Sequence, residues 1–137
     1  MTYLTRIAVA LLLIIAIPAC TSDDGATPVT PVPTGTVMVT LLPTSALVAP
    51  GGIGSVGLSL TRGGGFAGAV QLAASGVPAG VTVTFGSNSL PDGQFSTSVN
   101  IAVAGTVAAS NTPVAITITA TGVGINATTV TLSFRTA

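Results

Sequence analysis

Between Thr36 and Phe134 one spacing recurs in seven separate runs: an apolar side chain at every second residue, with mostly small or polar residues between. Val37, Val39 and Leu41 alternate with Met38 and Thr40, and Val56, Leu58 and Leu60 alternate with Gly57, Ser59 and Thr61. The same spacing holds for Val70 and Leu72, for Val81, Val83 and Phe85, and for Thr97, Val99, Ile101 and Val103. It returns in Val114, Ile116 and Ile118 and in Val130, Leu132 and Phe134. A period of two puts successive side chains on opposite faces of a strand, so each run reads as a strand with one apolar and one hydroxyl face. Such half-buried strands belong to antiparallel sheets; strands of parallel sheets read as continuous apolar runs. Between the runs stand Ala49-Pro50-Gly51-Gly52, Gly63-Gly64-Gly65, Pro78-Ala79-Gly80, Pro91-Asp92-Gly93 and Gly122-Val123-Gly124, all turn chemistry. In the two Pro-x-Gly segments, proline suits position i+1 and glycine position i+3 of a type I turn. The expectation is an all-β, seven-stranded antiparallel β-sandwich over residues 36–137.

The core of such a sandwich has to be aliphatic. Aromatics make up 4% of the chain, with no Trp, and the large rings available are Phe66, Phe85, Phe95 and Phe134. Charged residues are also only 4%, against about 25% in an ordinary domain. Beyond position 24 the ionisable side chains are Arg62, Asp92 and Arg135 alone. Nucleic-acid binding needs a basic patch to displace counterions, and none exists. Disorder pairs low hydrophobicity with high net charge, the reverse of a chain that is 48% hydrophobic with no net charge.

The first third has a different character. Arg6 precedes an unbroken apolar run of eleven residues, Ile7 to Ile17. As a helix this run spans roughly 16 Å, about half a bilayer's hydrocarbon core, so it reads as an export signal rather than an anchor. Ile17-Pro18-Ala19-Cys20 follows, with the only cysteine of the chain. This tetrapeptide resembles the lipobox of bacterial lipoproteins, which implies cleavage after residue 19 and lipidation, including palmitate, of Cys20. Several acyl chains at about 0.8 kcal/mol per buried CH₂ make a stable anchor where one does not. Residues 20–35 then form the lipidated Cys20 and a Pro/Thr-rich tether, in which Pro28, Pro31 and Pro33 favour extended chain. Residues 21–35 at about 3.1 Å each reach at most roughly 45 Å. Asp23 and Asp24 are expected to be solvated tether residues.

Gly65-Phe66-Ala67-Gly68-Ala69-Val70-Gln71-Leu72, followed by Gly76-Val77-Pro78-Ala79-Gly80-Val81 and Phe85, reads locally as two short strands joined by a Pro-Gly turn. It resembles the bacterial immunoglobulin-like repeat, which carries a G-F-x-G-x-V-x-L run, then G-L-P-x-G-V and a Phe a few residues on. The positions that match are Gly65, Phe66, Gly68, Val70, Leu72, Gly76, Pro78, Gly80 and Phe85, with Val77 in place of the leucine. The resemblance implies an immunoglobulin-like sandwich whose last hairpin is Val114 to Phe134, found in secreted enzymes, adhesins and surface lipoproteins. The cysteine pair, core Trp and corner Tyr of antibody domains are absent from residues 36–137. Phe66 is expected to plug one end of the sandwich.

Catalytic chemistry has little to work with. General acid–base catalysis calls for His, Lys or a tuned carboxylate pair, and this chain has neither His nor Lys. A hydroxyl without a base is inert as a nucleophile. No Cys or His follows Cys20 to build a zinc site, and Asp92 sits alone in Pro-Asp-Gly, where a turn role is expected. Gly63-Gly64-Gly65 lies between strands and opens no helix, so it is no phosphate cradle. Arg62 and Arg135 each close an apolar run and are expected to guard sheet rims against edge pairing. The functional expectation is therefore a non-enzymatic, cofactor-free, metal-free lipoprotein held by Cys20 on the bacterial cell envelope, at the outer membrane if the cell is Gram-negative. Its single module would act in structural or adhesive protein–protein contact. Binding of carbohydrate or peptidoglycan is the alternative, weakened by the missing Trp and Tyr platforms.

Overall fold

The computed structural model describes residues 34–137; the expected signal, Cys20 and the tether up to residue 33 lie outside the described residues. Nine strands are present: β1 (Thr36–Leu42), β2 (Ser45–Val48), β3 (Ile53–Gly63), β4 (Val70–Ser75), β5 (Val81–Phe85), β6 (Ser89–Leu90), β7 (Ser96–Val103), β8 (Ser110–Thr121) and β9 (Thr128–Thr136). They form two sheets, one ordered β1-β3-β7-β5 and the other β2-β9-β8-β4-β6. The architecture is the expected all-β sandwich.

The period-two runs explain the sheets directly. Val37, Val39 and Leu41 on β1, Val56, Leu58 and Leu60 on β3, and Val99, Ile101 and Val103 on β7 all point inward and are buried. Val70 and Leu72, Ile116 and Ile118, and Leu132 and Phe134 meet them from the second sheet. Stability therefore rests on interdigitated aliphatic side chains, each worth about 1.5–3 kcal/mol when fully buried. The last hairpin is present in register, with Val114 opposite Phe134, Ile116 opposite Leu132 and Ile118 opposite Val130.

Four expectations need correction. The strand count is nine, not seven: Ser45–Val48 and Ser89–Leu90 also pair. Both are too short, at four and two residues, for alternation to register. The sandwich is not purely antiparallel, because β2 runs parallel to β9 after the chain changes sheets at Leu42-Pro43. β4 and β5 are not partners: β4 pairs with β8 and β6, while β5 pairs with β7 in the opposite sheet. The segment between them arches across the end of the sandwich. Its turn starts one residue later than expected, since the Val81 amide donates to the Pro78 carbonyl (3.1 Å). The Gln94 amide likewise donates to the Pro91 carbonyl (3.2 Å). Proline thus occupies position i and glycine position i+2, where Gly80 (φ 75°) and Gly93 (φ 84°) adopt a sign that type I turns do not use and type II turns require.

Gly35 bridges Ile125 in parallel and Thr128 bonds Val37, so β1 and β9 run the same way and residues 34 and 137 lie at opposite ends of the sandwich. Phe66 does close the end where residue 34 enters. Its ring fits against Gly68, where an added Cβ would come within 2.7 and 2.8 Å of ring carbons, and against Gly122, at 3.2 Å. Ile125 is buried at the same end, where it bridges Gly35.

Candidate functional site

Arg62 is the most heavily engaged polar side chain among the described residues. Period two places it on the inward face, in line with Val56, Leu58 and Leu60, at the last turn of β3 before the glycine run. There its guanidinium leaves the core sideways and meets the loop that joins β6 to β7. Nη1 donates to the Gln94 carbonyl at 2.7 Å, and Nη2 donates to the carbonyls of Leu90 at 2.8 Å and Pro91 at 2.9 Å. A longer contact of 3.5 Å reaches the Gly68 carbonyl. Nε is buried with no partner. The ring of Phe95 lies 5.7 Å from the guanidinium carbon, a distance at which its face attracts the cation. Arg62 is thus not a rim guard. It is a half-buried cation whose charge is met by backbone carbonyls, and it holds the Pro91-Asp92-Gly93 turn in place.

That turn carries two exposed groups. Asp92 points to solvent, and Phe95 is 56% exposed although the sequence placed it among the core rings. Phe95 shares the inward parity of Thr97 and Val99, but β7 begins only at Ser96, so its side chain falls outside the pleat. Val123, in the Gly122-Val123-Gly124 turn at the same end, is 88% exposed.

The opposite end holds a cavity of about 330 Å³ with almost wholly apolar walls. Pro78, Val81, Val107, Val114 and Phe134 line it, and Arg135 stands at its edge. Thr136 is buried nearby and its hydroxyl donates to the Ala108 carbonyl at 3.1 Å, holding down the segment that leads into β8. A bulge between Ser110 and Val114 displaces β8 here, with Pro113 in it. Val114 is consequently 37% exposed rather than in the core. Nothing in the local pattern signals the cavity, because its walls come from β5, β8, β9 and the segment before β8.

The two outer faces carry rows of hydroxyl and amide side chains, interrupted by exposed Met38, Leu42 and Ile53 on the first sheet and Leu47 on the second. On the first sheet Thr40, Ser59 and Ser96 form one cross-strand row, and Ser55, Asn100 and Thr84 another. On the second sheet Thr131, Thr117 and Ser75 align, with Thr129 opposite Thr119 in the next row. Arg135 is the one charged residue on either face. The motif residues divide between roles that are all architectural. Val70 and Leu72 are buried, Phe66 and Phe85 are half-buried against the core, and Pro78 lines the cavity. Gly65, Gly76 and Gly80 hold turns, and Gly68 makes room for Phe66. The motif brings no reactive group together.

No family model matches the chain, and no curated protein matches it. Among solved structures it resembles domains 4 and 5 of the S-layer protein SbsC, at 18% identity and a TM-score of 0.50, over 73% of this chain and 51% of that one. A structure of surface layer protein SbsC covering domains 1–6 is also similar, at 20% identity and a TM-score of 0.46, over 73% of this chain and 13% of the other. The chain thus spans about half the length of the two-domain structure it resembles. At this identity the likeness concerns the fold.

Proposed function

We propose that this protein is a lipid-anchored bacterial envelope lipoprotein whose immunoglobulin-like domain works by structural contact with protein and not by catalysis. The observation that carries the reading is the distribution of polar chemistry over residues 34–137. Of the three ionisable side chains there, Arg62 is spent on carbonyls, while Asp92 and Arg135 are exposed at opposite ends. Asp92 is the one acid among them, so these residues hold no carboxylate pair. What remains is two broad faces of hydroxyls and amides with exposed Met38, Leu42, Leu47 and Ile53 among them, apolar features at the two ends, and an aliphatic core. Surfaces of that kind are suited to packing against protein, where charge is depleted at the centre of contacts.

The sandwich likeness to S-layer domains supports a structural role at the cell surface through the fold alone. Cys20 after its apolar run supports the anchor, with residues 21–35 as the spacer. The expected result is a mature N-terminus that begins at Cys20 and carries diacylglycerol and a further acyl chain, read by mass spectrometry of the membrane-extracted protein. An unmodified Cys20, or an intact residue 1–19 segment, refutes the lipoprotein reading.

Carbohydrate or peptidoglycan binding is a second reading, favoured by one observation, the exposed Phe95. Saturable binding of the chain to purified sacculi that is lost in Phe95→Ala would place it above protein contact.

A further inference from the structure

We propose that the domain docks head to tail on a second copy of itself, with Phe95 of one copy seated in the apolar cavity beside Phe134 of the next and Asp92 paired with Arg135. The inference rests on the contact-module reading above and names the partner of that contact. Two complementary features occupy opposite ends of one molecule. At the entry end Phe95 projects from a turn, 56% exposed, with Asp92 three residues before it. At the far end Val81, Val107, Val114 and Phe134 surround an apolar cavity of about 330 Å³ with Arg135 at its lip. β7 runs between the ends in eight residues, Ser96–Val103, roughly 25 Å. Within one copy, therefore, neither the ring and the cavity nor the two charges can meet.

The volumes agree. An apolar cavity of about 150 Å³ already admits a benzene ring, so a phenylalanine side chain fits this one with room for neighbouring turn atoms. The charges agree as well. In a domain almost without charge, the two ionised groups not bound internally have opposite sign, one beside the projecting ring and one beside the cavity. The sign pattern favours the heterologous arrangement. Matching like ends would set Asp92 against Asp92 or Arg135 against Arg135. Arg62 prepares the projecting turn, because its bonds to Leu90, Pro91 and Gln94 fix the backbone on both sides of Asp92 before contact. A preformed turn loses little freedom on docking.

The test uses the full chain extracted in a density-matched detergent and studied by equilibrium sedimentation. Wild type is expected to show a mass that rises with protein concentration. Asp92→Arg alone and Arg135→Asp alone are each expected to stay monomeric, since each sets like charges face to face. An equimolar mixture of the two variants is expected to recover association, because each then meets an opposite charge at both ends. Phe95→Ala, checked for an unchanged circular dichroism spectrum, is expected to weaken association by about tenfold or more. Association that survives both single swaps and Phe95→Ala overturns the proposal, as does a mixture that fails to recover. A wild-type monomer at all concentrations also overturns it. If that monomer still binds another envelope protein, the contact-module reading stands; if it binds only sacculi, that reading falls too.

Discussion

Replacing Arg62 with methionine keeps the unbranched stem that passes over the core and deletes the guanidinium, so it isolates what the cation does. Three carbonyls then lose their donor, those of Gln94, Leu90 and Pro91, bonded at 2.7, 2.8 and 2.9 Å. Hydrogen bonds to charged groups contribute about 1.5–3 kcal/mol each when sheltered. Two of these are part-buried and the Pro91 bond is exposed, so water replaces the last at little cost. Taking about 1.5 kcal/mol for each sheltered bond, about 0.5 for the exposed one and about 0.5 for the Phe95 ring gives about 4 kcal/mol. Removing the buried, unpartnered Nε returns about 1 kcal/mol of desolvation. The expected loss is therefore about 3 kcal/mol, a large share of the roughly 5–15 kcal/mol that holds a domain together. For about a hundred residues this lowers Tm by roughly 12–24 °C. Urea unfolding followed by circular dichroism measures it, with Arg62→Lys as control. Lysine keeps the charge but lacks the planar fork that reaches carbonyls on both sides of the turn, so it should recover less than half of the loss. A loss below about 1 kcal/mol in Arg62→Met, or a lysine variant as stable as wild type, refutes the clamp.

Phe66→Ala is expected to destabilise the domain by about 3 kcal/mol or more, because the ring fills a slot walled by Gly68 and Gly122 that cannot collapse; an unchanged thermal melt sinks the end-plug role. Gly93→Ala and Gly80→Ala should separate strain from clash. Gly93 (φ 84°) has nothing within 4 Å of an added Cβ, so its loss should be about 1 kcal/mol of backbone strain. Gly80 (φ 75°) would drive the Cβ into Val107, and its loss should be clearly larger by the same urea titration.

Much of the fold was legible because its signal is local. The alternation of Val56, Leu58 and Leu60 or of Ile116 and Ile118 states which side chains face the core whatever lies opposite them. Arg62 shows where that legibility was underused. Its parity pointed inward, yet a charge at the end of an apolar run read as a rim residue. Phe95 shows the converse, with inward parity defeated by a strand that starts one residue later. The short strands β2 and β6 carry too little pattern to be seen, and they exist because long neighbours, β9 and β4, offer them edges.

By itself, then, the sequence determined the fold class, the aliphatic core, most strand faces, the places where the chain turns and the poverty of reactive groups, since each follows from residues within a few positions of one another. Partnership is different in kind. Arg62 meets carbonyls 28 and 32 residues away, and Thr128 donates to the Val37 carbonyl across 91. Likewise, the cavity beside Phe134 is assembled from strands of both sheets. Which strand lies next to which is set by burying every apolar face at once, a condition on the whole chain that no local window contains. Only the tertiary structure could place Asp92 with Phe95 at one end and Arg135 with the cavity at the other.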